Sequence, residues 1–148
     1  MKKSVVKIIS LVLLSAFMLA FASCGSIESA AKDAKKVLKE NWNKYAGDAY
    51  SYFYYEEKMT TYEGQQYYLV DVYMSTKGKN TLNENYGKYA QMLSETLIND
   101  TFKDSTIYSD LAEEFEKYPE VDVMIIFFDI NDEAAYYYSF GNFKYLEK

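Results

Sequence analysis

The stretch that decides the fold is Val121–Ile130, with the sequence VDVMIIFFDI, the most hydrophobic run in the body of the chain. Its middle is apolar at successive positions, so both sides of an extended backbone would be apolar there. This pattern is typical of a central strand that is covered on both faces. Asn131–Glu133 predicts a turn after it, and the aromatic run Ala134–Phe140 predicts a hairpin partner. The tail, Gly141–Lys148, would extend that partner strand.

A second pair of strands is predicted nearer the N-terminus. Tyr50–Met59 is rich in aromatic residues, Thr60–Gln66 contains a turn-favouring glycine, and Tyr67–Thr76 alternates. The two faces of the latter strand carry Tyr68, Val70, Val72 and Met74 on one side and Tyr67, Leu69, Asp71 and Tyr73 on the other. We expect the first to be the core face, because the other includes an ionisable aspartate.

Three helices are predicted around these strands. Residues 27–45 place apolar side chains at helical spacing, with lysines on the opposite side. Thr81–Glu84 fits a capping box that would begin a second helix, running to about Phe102. A third helix would follow Ser109 and end before Pro119. The order α-β-β-α-α-β-β predicts an α+β domain with a mostly antiparallel four-stranded sheet and its helices packed on one face.

Composition excludes several classes of protein. The chain has no histidine, and all 16 basic residues are lysines. The usual general base near neutral pH is therefore absent, and so is the bidentate phosphate ligand arginine. Excess acidic charge repels nucleic acid, so we expect no nucleic-acid partner. We find no phosphate loop, no catalytic motif and no metal-ligand pattern, and we predict no cofactor, no metal and no enzymatic activity.

The N-terminus has the pattern of an export signal. Three lysines among the first seven residues precede the apolar run Ile8–Ala22, and Ser23 and Cys24 follow it. The run is shorter than the roughly 20 residues that span a bilayer. A positive start, an apolar run of this length and small residues at its end predict a secretory signal peptide.

The ending of this segment, Phe21–Cys24 (FASC), resembles the lipobox of bacterial lipoproteins. The resemblance implies removal of residues 1–23 and acylation of Cys24, palmitate included, so that no free thiol remains. We therefore expect a signal peptide at 1–23, the lipidated cysteine and a short tether at 24–26, and one α+β domain at 27–148. The protein would be exported and anchored to the outer leaflet of the cell membrane, or to the outer membrane of a didermic cell. An ordinary signal peptide with a chance cysteine, or an uncleaved anchor, is the alternative.

Charge is unevenly distributed along the expected mature chain, in which 13 lysines and 22 acidic residues give a formal net charge of −9. Residues 25–45 carry +2 and residues 46–148 carry −11. Four lysines of the first predicted helix would form a basic face close to the membrane: Lys32, Lys35, Lys36 and Lys39. They would contact anionic headgroups or form the solvated side of an amphipathic helix, and the two interpretations are compatible.

Tyrosine is unusually frequent, with 17 residues. Six of them could line one exposed sheet face and bind sugars or peptides: Tyr52, Tyr54, Tyr67, Tyr73, Tyr136 and Tyr138. The alternative, which we favour, is that they pack across strands, since tyrosine suits half-buried sheets.

Two acidic patterns complete the candidates. Asp71 and Asp129 lie on strands that we expect to be neighbours, and a close pair of carboxyl groups would resemble the acid and base of glycoside hydrolysis. More often, a strand aspartate faces water. The segment Asp129–Glu133 places oxygen ligands at alternate positions as calcium loops do, although a polar hairpin turn is the interpretation that we favour.

The sequence therefore predicts an envelope lipoprotein whose domain is a non-catalytic binding or adaptor module for an envelope protein or a cell-wall glycan. A carboxylate-dependent polysaccharide hydrolase and a structural or inhibitory module are the alternatives.

Overall fold

A computed structural model of the chain describes residues 25–147. The predicted signal peptide and Cys24 lie outside the described residues. The described part contains helices α1 (Gly25–Ala46), α2 (Thr76–Tyr86), α3 (Ala90–Phe102) and α4 (Ile107–Glu114), and strands β1 (Phe53–Tyr62), β2 (Gln65–Met74), β3 (Val121–Phe128), β4 (Ala134–Ser139) and β5 (Asn142–Tyr145). Within these residues, no helix has both the length and the apolar character to span a membrane.

The strands form one sheet in the order β1-β2-β3-β4-β5. The α+β class is confirmed and three of the four strand pairings are antiparallel, but the sheet differs from the predicted four-stranded one in two respects. First, β2 and β3 are parallel, with Tyr68 opposite Val123. Helices α2 to α4 carry the chain back to the end at which β2 began, so β3 starts there and runs the same way. Second, the tail forms a separate strand, because Phe140 and Gly141, with φ of 50° and 74°, make a tight hairpin turn before it.

The helices pack on one side of the sheet, as predicted. All four contribute to a single core with the strand side chains that point towards them. We call these strand residues the first face: Tyr68, Val70, Val72, Met74, Val123, Ile125, Phe127 and Tyr138. The expected core face of β2 is confirmed, since its four members are 0–1% exposed.

The predicted capping box at Thr81–Glu84 is wrong, because α2 begins earlier, at Thr76. The hydroxyl of Ser75 caps the helix by accepting the backbone N–H of Gly78 at 3.1 Å. A Cβ at Gly78 would lie 2.6 Å from the carbonyl oxygen of Tyr52, so only glycine fits here. The helix therefore begins directly after β2, and its first turn packs on the neighbouring backbone.

Candidate functional site

The sheet has a second face on the side away from the helices. It is formed by the side chains that alternate with those of the first face on β2 and β3. We call these residues the second face: Tyr67, Leu69, Asp71, Tyr73, Met124, Ile126 and Phe128. Ile126 is 0% exposed and Leu69 and Phe128 are each 1% exposed, so the prediction that the central strand is buried on both sides is confirmed.

The two faces differ in what packs on them. Apart from its own members, the apolar residues packed against the second face are Tyr62, Ala134 and Leu146. They come from strands, strand ends and the segment after β5, and no residue of α1 to α4 is among them. Within residues 25–147, the helical layer therefore covers the first face alone.

Asp71 lies at the centre of the second face, opposite Glu56 on β1 and Ile126 on β3. Its side chain is only 6% exposed, and the Nζ of Lys58 is 3.8 Å from its Oδ2. Its Oδ1 is buried and has no hydrogen-bond partner among the described residues. Burial raises the pKa of Asp71 to about 6, while the charge of Lys58 lowers this pKa and that of Glu56 raises it.

Three of the six predicted tyrosines do lie together on this side of the sheet. Tyr67 and Tyr73 belong to the second face, and Tyr54 stands opposite Tyr73 on β1. The rings of Tyr54 and Tyr73 stack at 5.4 Å, and Tyr73 stacks on Phe128 at 4.4 Å. The result is an aromatic ladder across β1, β2 and β3, whose outer ring, Tyr54, is 45% exposed.

Two other tyrosines of the predicted set point to the helices. Tyr138 donates hydrogen bonds from its hydroxyl to the carbonyl oxygens of Phe102, at 3.0 Å, and Lys103, at 2.6 Å. Tyr136 packs against the same core and stacks on Phe143 at 4.9 Å. The structure therefore does not bring them together with Tyr54, Tyr67 and Tyr73 on one platform.

The sixth, Tyr52, precedes β1 in a short 3-10 helix. It lines a cleft of about 300 Å³ with residues of α2 and α3, among them Leu82, Tyr86, Leu93 and Leu97. This cleft is separate from the second face, because its residues pack on the side of the sheet that carries the helices.

Asp71 and Asp129 do lie near neighbouring strands, but their carboxyl groups are on opposite sides of the sheet. Asp129 is 0% exposed and follows β3. Its Oδ2 accepts a hydrogen bond from Nε2 of Gln91 in α3 at 2.9 Å, on the helical side. The structure does not place the two groups where they could act as a catalytic acid and base.

The segment after β3 forms a hairpin turn around Asp129. Its Oδ1 accepts the backbone N–H groups of Asn131, at 2.8 Å, and Glu133, at 3.1 Å. Lys79 pairs with Asp132 at 2.7 Å. These oxygens are thus engaged with protein donors, which favours the turn interpretation. Residues 25–147 contain no cluster of three or more potential metal ligands from His, Cys, Asp and Glu.

The predicted basic face lies on α1, opposite the buried side formed by Ala30, Ala34 and Leu38. All four of its lysines are exposed, and two of them form ion pairs within the protein: Lys35 with Glu57, and Lys36 with Glu40. The helix begins at Gly25, so the residues predicted as a tether, 25 and 26, are helical.

Comparison with protein family models, with curated proteins and with solved structures finds no match to this chain. The site must therefore be interpreted from its own chemistry. The burial of Asp71 is the functional feature that the sequence reasoning missed. The signal that could have revealed it is the position of Asp71 between Leu69 and Tyr73, on a strand whose other side is also apolar.

Proposed function

We propose that the chain is a lipoprotein of the bacterial envelope, exported and anchored through Cys24, and that its domain is a non-catalytic binding module for another envelope protein. The sequence of residues 1–24 supports the anchor. The start of α1 at Gly25 supports a domain held close to the bilayer, since no linker would separate the helix from the lipidated cysteine.

The second face is the observation that carries the binding function. Residues 25–147 supply no helical layer over it. An apolar sheet face is ordinarily packed against another layer of secondary structure. A partner is therefore expected to complete this side of the sheet.

A protein partner fits this face better than a glycan does. Leu69, Met124 and Ile126 make its centre aliphatic, and it lies on a sheet rather than in a cleft with converging polar groups. An inhibitory or structural module would use the same face. A glycan would fit the cleft at Tyr52 better.

The basic face of α1 constrains how the domain sits on the membrane. Lys32 and Lys39 are about 10 Å and 21 Å along the helix from Gly25, at 1.5 Å per residue. Attraction to headgroups falls off over a Debye length of about 8 Å at physiological salt. We propose that α1 lies along the bilayer, because only then do all four lysines reach anionic lipid. Vesicle binding by the protein that does not change with the anionic lipid content would contradict this orientation.

The anchor is tested by Cys24→Ala. The wild-type protein should incorporate radiolabelled palmitate and fractionate with membranes, and the variant should lose the label and stay unprocessed. Equal labelling of the two proteins would refute lipidation at Cys24.

The binding face is tested by photo-crosslinking in intact cells that produce the protein. A photoreactive phenylalanine replaces Tyr73, on the second face, or Met92, which is 58% exposed on α3. We expect one dominant protein adduct from position 73 and none from position 92. No protein adduct at position 73, or the same adducts at both positions, would overturn the proposed docking face.

A further inference from the structure

We propose that β1 pairs with β1 of a second copy of this chain, antiparallel and about a two-fold axis at Glu57, so that two five-stranded sheets form one continuous sheet. The interaction surface is the outer edge of β1, and its partner is an identical chain. This inference goes beyond the proposed function, because it uses the edge of the sheet and not the second face.

The first argument is that β1 is a long and regular edge strand. It stands at one end of the strand order, so within residues 25–147 it has a strand neighbour on one side only. It pairs with β2 over ten residues without a bulge, whereas β5, at the opposite edge, has four residues. Edge strands are ordinarily protected by shortness, bulges, proline or lysine. Of these devices β1 has a single lysine, Lys58, so it is the edge on which another strand can pair.

The outer edge of β1 is accessible along most of its length. Phe53 and Thr60 are buried, and the other eight side chains of the strand are at least partly exposed. Helix α1 contacts the strand on its helical side, where Lys35 pairs with Glu57. Strand side chains stand roughly perpendicular to the sheet, whereas backbone hydrogen bonds lie in its plane. Contacts of this kind therefore leave the hydrogen-bonding direction of the edge open.

Two-fold symmetry limits the register of such a pairing. In an antiparallel pair, side chains that are directly opposite lie on the same side of the sheet. A strand that pairs with its own copy therefore has one residue on the axis, and every other residue lies opposite one that is an even number of positions away. With Glu57 on the axis, residues 53–61 pair along their whole length and form about eight to ten backbone hydrogen bonds. This number is typical of a specific protein interface.

Charge favours Glu57 as the axis residue. In this register Glu56 lies opposite Lys58 of the second copy, and the axis repeats that ion pair. Because each residue must face one of the same parity, no other symmetric register places opposite charges of β1 against each other. Glu57 faces its own copy on the axis, but each Glu57 has Lys35 of its own chain as a partner. Lys58 keeps Asp71 beside it within the chain.

The edge is also a neutral part of an acidic body. Residues 46–148 carry a formal charge of −11, which repels a second copy in general. The charges of β1 and of the lysine that pairs with it sum to zero, since Glu56 and Glu57 are matched by Lys58 and Lys35. Charges more than about 8 Å away are largely screened at physiological salt, so the local balance governs close approach.

The arrangement agrees with the proposed membrane orientation of α1. A two-fold axis that joins two antiparallel edges runs perpendicular to the sheet, so both helical layers lie on the same side of the joined sheet. The buried side of α1 packs towards the strands, and its basic face points away from them. Both basic faces therefore meet the same bilayer. This argument rests on the proposed orientation, whereas the pairing of the strands does not.

The test is a cysteine scan of the full chain in intact cells, with a mild oxidant added. Tyr54, Glu56, Glu57 and Lys58 are replaced singly by cysteine, and Met92→Cys, at a 58% exposed position of α3, is the matched control. Facing residues at the axis have Cα atoms about 5 Å apart, which a disulfide can bridge, whereas the two copies of Tyr54 are about 20 Å apart. We expect Glu57→Cys to give at least about fivefold more disulfide-linked dimer on non-reducing gels than any other variant. The wild type, whose only cysteine is Cys24, gives the background.

Charge reversal in the Glu57→Cys background tests the ion pairs. Glu56→Lys should lower the yield of the dimer by about fivefold or more, because it sets two lysines against Lys58 of each partner. Adding Lys58→Glu restores both ion pairs with their signs exchanged, so the yield should recover to within about twofold. The exchange keeps a cation beside Asp71, which lies opposite position 56. Yields are compared at equal amounts of protease-resistant protein, so that a folding defect is not counted as lost pairing.

Each other outcome overturns a stated part of the proposal. No disulfide dimer from any position of β1, or equal yields from Glu57→Cys and Met92→Cys, would overturn the pairing of the edges. A maximum at another position would overturn the register, and a yield that charge reversal leaves unchanged would overturn the ion pairs. A disulfide from position 57 to a different protein would overturn the second copy as the occupant. None of these results bears on the second face, which the photo-crosslinking tests separately.

Discussion

The two faces of the sheet are formed by the same strands, but different elements pack on them. On the first face, helices α1 to α4 close over the strand side chains, and the hydroxyl of Tyr138 reaches two backbone carbonyl oxygens. On the second face, the apolar cluster has only strand and tail neighbours in residues 25–147, and Oδ1 of Asp71 is unsatisfied. The first face is therefore closed by helices of this chain, whereas no helix of residues 25–147 packs on the second face.

The largest expected difference between the faces is a packing difference. Phe127 and Phe128 are adjacent on β3, 0% and 1% exposed, and point to the first and the second face respectively. In the processed protein, Phe127→Ala should lower the free energy of unfolding by about 3–5 kcal/mol, because it leaves a cavity under the helices. Phe128→Ala should cost about 1–2 kcal/mol, because it loses mainly its strand neighbours. Urea denaturation of the two variants measures both values, and equal losses would show that the second face is a closed core.

A similar contrast is expected for two buried aspartates. Asp129→Asn should destabilise the protein by about 1–3 kcal/mol, since an amide cannot accept all the donors that surround this carboxylate. Asp71→Asn should be neutral or stabilising at pH 7, by up to about 3 kcal/mol, since it removes a desolvated charge with an unsatisfied oxygen. The same denaturation experiment tests both changes. A clear loss of stability in Asp71→Asn would mean that its ion pair with Lys58 is a net stabilising contact.

The pH dependence of stability follows from the raised pKa of Asp71. Between the ordinary carboxyl value of 3.8 and about 6, the folded chain binds more protons at this group than the unfolded chain does. The free energy of unfolding contributed by this residue therefore falls as the pH rises through that window, and is constant above it. Denaturation of wild type and Asp71→Asn at pH 4 to 7 gives the difference curve. A flat curve would show that water reaches this carboxyl in the free protein.

The central strand and the fold class could be predicted from sequence because they depend on local pattern. Val121–Ile130 is apolar on both sides, and such a run has few alternatives to a strand buried on both faces. The apolar period of α1 predicted the position of this helix for the same reason, and the helix ends at Ala46, just before Gly47 with its positive φ of 51°.

The errors came where distant contacts decided the outcome. The direction of β3 depends on where three helices deliver the chain, which no local pattern encodes. The start of α2 depends on Gly78 packing against the Tyr52 carbonyl, 26 positions away in sequence. The extra hairpin uses Phe140 in a left-handed conformation, which phenylalanine rarely adopts.

The burial of Asp71 was missed for a different reason, namely that a general rule was applied to a residue that does not follow it. An aspartate on a strand is ordinarily a reason to place that face in water, and Asp71 was used in that way. Asp71 is buried in the structure, so it is the one residue of this strand that does not follow the rule that a strand aspartate faces water. Such isolated violations are expected at functional positions, because folding alone would not favour them.

The smallest expected effect concerns two buried hydroxyl groups of the first face. Tyr138→Phe should lower the free energy of unfolding by about 1–2 kcal/mol, because it removes the hydroxyl that donates to the carbonyl oxygen of Lys103 and to that of Phe102, which keeps only the backbone N–H of Ser105. Tyr68→Phe should be neutral or slightly stabilising, because the Tyr68 hydroxyl is buried without a partner among the described residues. The pair removes one oxygen from each of two tyrosines, so packing is nearly unchanged and denaturation reports the hydrogen bonds. If Tyr68→Phe were as costly as Tyr138→Phe, an ordered water would have to satisfy Tyr68. Water as well as protein groups would then satisfy the buried polar atoms of the first face. The remaining difference between Tyr68 and Asp71 would be the charge of the carboxylate.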